Sequence, residues 1–450
     1  MSGEDPYTPA VRLSRFGRRV VGIAESRRRA VLVIAVAAIV PRLAVLVAEH
    51  GTVLQPFTFG EKSDDIARTF LASGTFGFIP GHPTAYTQPL YSYFLIPLYW
   101  TLGRSWEVVG GAQTIVAALT AVIVYETGRR HLTATAGLLA ALIVALHPYS
   151  LWHDVHVNRE ILDGLLAAAI LLLWLELLDR RTPALALALG AVFGLSILGN
   201  VRLTALPVLV GLFCLWTWRP GRRAVALIGA MVAACLVVLA PWVVRNRIEV
   251  GCFALTTDSR ALWEANNALT LRTLRANLWI DNVPLPASFP PSAQDAGRAY
   301  RRHGRIIGVD ECAQVGFYQH KVIRFWERDP VEKVKLAAQA SLMLWNPVVS
   351  PPPTRGDEVS WLTSVRDSVE PLYIGAVFLL AIYGLFRVPR RFAAVSLLLL
   401  GYQWALAIIF VGATRYRVPW DFVAALLAGA AVVDIAARIG GRRRTPAQTG

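Results

Sequence analysis

The sequence predicts an all-α, polytopic membrane protein, and three observations carry that prediction. Hydrophobic residues make up 55% of the 450-residue chain against 17% charged, and mean hydropathy is +0.47, too apolar for a soluble fold of this length. Apolar runs of the length a bilayer asks for, roughly 20 residues, recur at 30–48, 107–127, 132–150, 160–178, 183–200, 203–218, 224–244, 371–387, 392–412 and 418–437. Arginine clusters fall at every second turn between those runs, at 12–29, 129–130, 180–181, 219–223, 387–391 and 438–444.

Ten spans place all of these clusters and both termini on one side, and the bias of Lys and Arg toward cytoplasmic loops makes that side the cytoplasm. The net charge of +15 is then a topology signal and not a nucleic-acid footprint. The basic N-terminal segment is long and no small-residue cleavage site precedes Pro41-Arg42, so the first span is expected to stay in the protein.

This path divides the chain into a basic cytoplasmic segment 1–29, a transmembrane catalytic core 30–244 with a first outer loop 49–106, a large extracytoplasmic loop 245–370, C-terminal transmembrane helices 371–438 and a basic tail 439–450. In the first outer loop the run from Gln88 to Trp100 is apolar but short and cut by prolines. Its tyrosines and tryptophan suit the headgroup layer, which predicts an interfacial helix. Residues 317–335 mix apolar side chains with cations and predict a second surface-lying helix. Cys214 and Cys235 fall in spans, whereas Cys252 and Cys312 share the outer loop, where a disulfide and two reduced buried thiols are both open readings. There is no internal repeat or low-complexity linker.

Chemistry is expected in the two long loops. Glu61, Asp64 and Asp65 follow the first span, and a carboxylate at a membrane edge is costly to desolvate, so a cluster there points to proton transfer or to the orientation of a polar ligand. The competing reading is structural: Ser63 can cap a helix starting at Asp64, and the helix dipole favours acids in a first turn. His153-Asp154-Val155-His156 is the one local cluster of metal-ligand types, and two histidines three apart in a polar turn more often serve hydrogen bonding. Arg159-Glu160 reads as a local ion pair at the entrance of the fourth span. Arg42, near the middle of the first, demands an internal partner that the sequence does not name.

Taken in chain order, several motifs resemble the GT-C superfamily of integral membrane glycosyltransferases. They are the acid cluster with Ile66-Ala67-Arg68, then Pro83-Thr84-Ala85-Tyr86 and Gln88-Pro89-Leu90-Tyr91, then Pro241-Trp242 with Arg245-Asn246, and Arg415-Tyr416-Arg417-Val418-Pro419 before the last span. The likeness is in particular to the bacterial, family 39-type branch similar to protein O-mannosyltransferases and the lipid A aminoarabinose transferase.

The resemblance implies inverting transfer of a sugar from a polyprenyl-phosphate carrier to an acceptor hydroxyl on lipid, glycan or protein, at the extracytoplasmic face of the plasma (inner) membrane. It implies a carboxylate base a few residues before the Ile-Ala-Arg stretch, a spacing that Glu61 and Asp64 fit about equally, with Asp65 third. The usual acid-acid or acid-tyrosine pairing is displaced here, so the choice among the three stays open. Arg245, Arg415, Arg417 and Arg202, all near outer span ends, are the candidates for the donor phosphate. Arginines there also snorkel to lipid headgroups without a specific ligand. Tyr86, Gln88, Tyr91, Trp263 and Asn266 offer rings and amides suited to a sugar or acceptor, although interfacial anchoring is the ordinary role of such aromatics. No cofactor is called for, and a divalent metal is left open. The alternative function is a transporter or flippase of a lipid-linked saccharide. Against it stand polar residues concentrated on one face and the lack of paired Gly/Pro-broken spans.

Overall fold

A computed structural model describes residues 15–49, 62–350 and 361–442. Among these residues the regular structure is helical, with no named strand. Eight helices are long and apolar enough to cross a membrane: Arg27–Ala48, Trp106–His131, Glu160–Arg180, Val201–Trp218, Arg222–Glu249, Trp361–Leu385, Arg390–Ile409 and Thr414–Ile439. The two other predicted spans, at 132–150 and 183–200, are the shorter apolar helices Ala134–Ala145 and Pro183–Gly199. The first of them is short because Pro148 opens a separate helix, Pro148–His153, where its missing N–H is no loss. The chain is thus an all-α, multi-pass membrane protein.

The spans pack through small residues. On the first span Ala30, Ile34, Ala38 and Arg42 are buried at a spacing of four, while Leu32, Val36, Val40 and Val47 are exposed toward lipid. Pro183–Gly199 lies against Arg222–Glu249, and a Cβ on Gly190 would stand 2.0 Å from the Met231 carbonyl oxygen. Without lipid-excluding hydrophobic drive, such backbone proximity is what holds transmembrane helices together.

Two spans run past the ends that hydropathy predicts. Arg222–Glu249 continues through Pro241, and Trp361–Leu385 begins ten residues before Pro371. Within the added turns Asn246, Thr363, Arg366 and Glu370 are buried, while Arg247, Ile248, Glu249 and Trp361 are exposed. Arg245 therefore rides on a helix and not in a loop.

The basic clusters meet at one end of the bundle. Glu126 takes Arg27, Arg129 and Arg130, Arg130 reaches on to Glu176, and Glu176 pairs with Arg180. Arg391 pairs with Asp179, and Arg387 and Arg438 share Asp434. The two long loops cover the other end. The first holds helices Lys62–Ser73 and Leu90–Leu102, the latter in place of the predicted interfacial run. The second holds Ala293–His303, Glu311–Arg328 and Pro330–Trp345, so the surface helix expected at 317–335 is two helices broken at Asp329-Pro330. Cys252 and Cys312 are disulfide-bonded, which settles the two open readings and ties the end of a span to the start of Glu311–Arg328. Next to the bridge, the Glu311 carboxylate accepts from the Thr84 and Thr257 hydroxyls and the Ala85 N–H, joining both long loops.

Candidate active site

The three acids of the first loop are placed differently. Glu61 lies outside the described residues. The helix Lys62–Ser73 carries Asp64 and Asp65 in its first turn and already includes Ser63, so it starts earlier than the predicted cap. Asp64 is 1% exposed and accepts from the Tyr99 hydroxyl at 2.7 Å and from Nε and Nη2 of Arg104, both at 2.9 Å. This fork clamps the loop helix to the helix Leu90–Leu102 and the turn after it, and the same hydrogen bond raises the Arg104 pKa. Asp65 meets Arg301 of the second loop at 3.0 Å. Lys62 bridges to Asp258 at 2.8 Å and stands 4.8 Å over the ring of Tyr86, itself buried edge-on to Phe78.

A cavity opens where the spans end under these loops, lined by Gln88, Arg159, Asp163, Asn200, Arg202, Asp258 and Tyr416 among others. Two cations, Arg159 and Arg202, line it, and a third, Arg415, is bonded to the lining residue Tyr416. Asn200 breaks the helix Pro183–Gly199 into extended backbone, and the 3-10 turn that follows presents Arg202. The Arg202 guanidinium lies 4.0 Å from the Tyr416 ring and donates to Asn200 Oδ1 at 3.0 Å. Arg415 donates to the Tyr416 hydroxyl at 2.8 Å and stacks 4.7 Å from Trp279. Arg159 donates to Gln88 Oε1 at 3.1 Å. Such a concentration of guanidinium groups around one tyrosine, at the depth where spans end, suits an anionic headgroup.

Arg415 itself lines a second cavity, with Glu160, His153, His147, Arg42 and Asp154. Glu160 is buried, 3.7 Å from Arg159, and its Oε1 has no hydrogen-bond partner. Burial pushes the His153 pKa down to about 4, leaving a neutral imidazole whose Nε2 is also unpartnered.

Several predicted site residues lie elsewhere. Arg245 donates to the carbonyls of Thr84 at 2.7 Å and Phe76 at 3.1 Å, and to Asn246 Oδ1 at 2.9 Å, bracing the first loop from its span. Arg417, 2% exposed, is held by Asp421 at 3.0 Å, Glu370 at 3.3 Å and the Asn346 carbonyl at 2.7 Å. The Tyr91 hydroxyl donates to Gln113 at 2.6 Å and accepts from the Asn158 N–H at 3.0 Å. Trp263 packs on Phe289 and Tyr318, and Asn266, 0% exposed, accepts from Lys333 and Trp326. Arg415 adjoins the cavity only through its hydrogen bond to Tyr416, and of the predicted set the cavity itself holds Arg202 and Gln88. It adds Tyr416, visible in the same motif as Arg415, and Arg159, which the sequence offers only as part of an ion pair. Among the described residues no group of three or more ligand types could hold a metal ion. Asp154 serves Arg42 instead, and His156 Nδ1 hydrogen-bonds the Trp152 carbonyl at 2.7 Å.

Residues 87–244, which include Gln88, Arg159 and Arg202, match the model of the dolichyl-phosphate-mannose-protein mannosyltransferase family. No curated protein matches the chain in sequence. Among solved structures, the archaeal oligosaccharyltransferase AglB from Archaeoglobus fulgidus, in complex with an inhibitory peptide and a dolichol-phosphate, is similar with a TM-score of 0.50 at 13% identity, over 93% of this chain and 52% of that one. The apo oligosaccharyltransferase of the same organism gives 0.50 at 12% identity, over 93% and 51%. ArnT from Cupriavidus metallidurans bound to undecaprenyl phosphate gives 0.42 at 16% identity, over 92% and 82%. The chain spans about half the length of the oligosaccharyltransferases it matches, and the likeness to them is one of fold.

Proposed function

We propose that this chain is a membrane glycosyltransferase of the GT-C superfamily and that it moves a sugar from a polyprenyl-phosphate carrier to an acceptor hydroxyl, inverting the anomeric centre, a reading supported by the family match and the shared fold. The observation that carries the reading is the convergence of Arg202 and Arg415 on Tyr416, with Arg159 lining the same cavity. The matching family model is described by a dolichyl-phosphate sugar, and one of the similar structures holds a dolichol-phosphate, which supports the same donor class here.

In this reading the acceptor oxygen bonds to the anomeric carbon as the bond from that carbon to the phosphate oxygen breaks, and polyprenyl phosphate departs. Phosphate is already a good leaving group, so no second carboxylic acid has to protonate it, unlike the leaving oxygen of a glycoside. Arg202, Arg415 and Arg159 hold the phosphate and offset its growing charge. A carboxylate of the first loop takes the acceptor proton. Arg104 and Tyr99 engage Asp64, and Arg301 engages Asp65, which favours Glu61 as the base. Glu61 directly precedes Lys62, whose partner Asp258 lines the cavity. Gln88 faces the sugar. The arginine-bridged end of the bundle is cytoplasmic, with both termini, and the looped end lies outside the plasma membrane.

Turnover tests this. Purified protein given a labelled polyprenyl-phosphate sugar and an acceptor should release free polyprenyl phosphate in step with glycosylated acceptor. Movement of the intact lipid across vesicles without its consumption would replace the enzyme by a flippase.

A further inference from the structure

Arg415 sits just after an irregular stretch, Phe410–Ala413, that joins two spanning helices. The last carbonyls of a helix have no partner within it, so a linker of this kind needs outside support to hold a side chain in place. That support comes from the second long loop. Lys333 donates to the carbonyls of Ile408 at 2.8 Å and Ile409 at 3.2 Å, and to Asn266 Oδ1 at 2.6 Å, with its ammonium 5.1 Å over the Trp326 ring. A cation at a helix C-terminus meets the negative end of the helix dipole. Asn266 closes the knot by donating to the Ile409 carbonyl at 3.0 Å and the Leu262 carbonyl at 2.9 Å.

The helix Pro330–Trp345, which carries Lys333, meets the linker at one further point, and the segment that follows it at another. Gly412 presses on its backbone, where a Cβ would stand 1.8 Å from the Ala340 carbonyl oxygen. Beyond the helix end, Ser350 and Thr414 exchange two bonds of 2.8 Å, one from the Thr414 N–H to the Ser350 carbonyl and one from the Ser350 N–H to the Thr414 hydroxyl.

We infer that the helix Pro330–Trp345 is a strut that positions Arg415 for the carrier phosphate, with Lys333 as its latch. Lys333 lines neither cavity and is a positioning residue. The inference rests on the reading of Arg415 as a phosphate ligand. Lys333 has no carboxylate among its described partners. Its described partners are an amide oxygen, two carbonyls and an indole face, and burial among them pushes its pKa down to about 8, a penalty on the charged form. The neighbouring charges on its own helix, Glu332 and Lys335, pair with each other at 2.6 Å.

The test measures binding of undecaprenyl phosphate to full-length Lys333→Met, Lys333→Arg, Gly412→Ala and Arg415→Ala proteins, with amide hydrogen exchange over residues 408–417. Loss of a charged hydrogen-bond donor predicts binding about tenfold weaker in Lys333→Met and faster exchange in that segment. Lys333→Arg restores most of the binding, and Gly412→Ala repeats the Lys333→Met pattern from the other side of the contact. Unchanged exchange in both Lys333→Met and Gly412→Ala overturns the strut. Faster exchange with wild-type binding overturns its role in positioning. Wild-type binding in Arg415→Ala is the separate signature of a failed phosphate reading.

Discussion

Arg42, in the middle of the first span, places Nε and Nη2 on one carboxylate oxygen of Asp154 at 3.0 and 2.8 Å and gives Nη1 to the Ala38 and Ala145 carbonyls at 3.0 and 2.7 Å. Both partners are buried, so removing one leaves an uncompensated charge between helices. Arg42→Met is expected to cost about 3–5 kcal/mol, and adding Asp154→Asn should recover part of that loss. Thermal unfolding in detergent measures both; independent, additive losses would contradict the pairing.

The first-loop acids should separate by phenotype. Asp64→Asn weakens the clamp to Arg104 and Tyr99 and is expected to lower stability by about 2 kcal/mol, together with activity. Glu61→Gln should leave melting unchanged and lower kcat by about a hundredfold to ten-thousandfold. An active Glu61→Gln protein beside a stable, inactive Asp64→Asn protein would move the base to Asp64.

Lys333 makes a prediction about pH. Its pKa of about 8 lies below the ordinary 10.5, so between those values the unfolded chain holds a proton that the native chain does not. Raising pH through that window therefore favours the native state as far as this group is concerned. Its cap on the Ile408 and Ile409 carbonyls weakens over the same window, because the ammonium charge is lost. The donor KM should rise as pH passes 8 without a matching fall in melting temperature from this group, and Lys333→Arg should flatten the rise. A wild-type KM that stays level to pH 9 counts against the latch.

The bridge between Cys252 and Cys312 closes 60 residues of the second loop. Replacing both by serine should lower stability by about 2–4 kcal/mol, chiefly by freeing the unfolded chain. The melting shift that reductant causes in the wild type should be absent from the double variant. A reductant shift persisting in that variant would place the effect elsewhere.

Spans were the most legible part of the sequence because apolar length and arginine spacing report on the bilayer one segment at a time. The helix running past Pro371 was hidden, since its added turns carry Arg366 and Glu370, which are buried only because other segments cover them. The cavity was half legible. Arg202 and Arg415 stand at span ends, where hydropathy draws attention to them. Arg159 looked like half of an ion pair with Glu160, and only the fold brings it to Gln88. Arg245 and Asn266 have the right chemistry at the right depth. What separates them from Arg202 is which carbonyls lie within reach, a tertiary fact with no local signature. The partner of Arg42, 112 residues away, was invisible for the same reason.

The central claim, that Arg202 and Arg415 hold the carrier phosphate, is tested most directly by equilibrium binding of undecaprenyl phosphate to the purified protein. Each of Arg202→Ala and Arg415→Ala should bind about ten to a hundredfold more weakly than wild type, the effect of removing one charged hydrogen-bonding partner. Wild-type affinity in both variants would contradict the account.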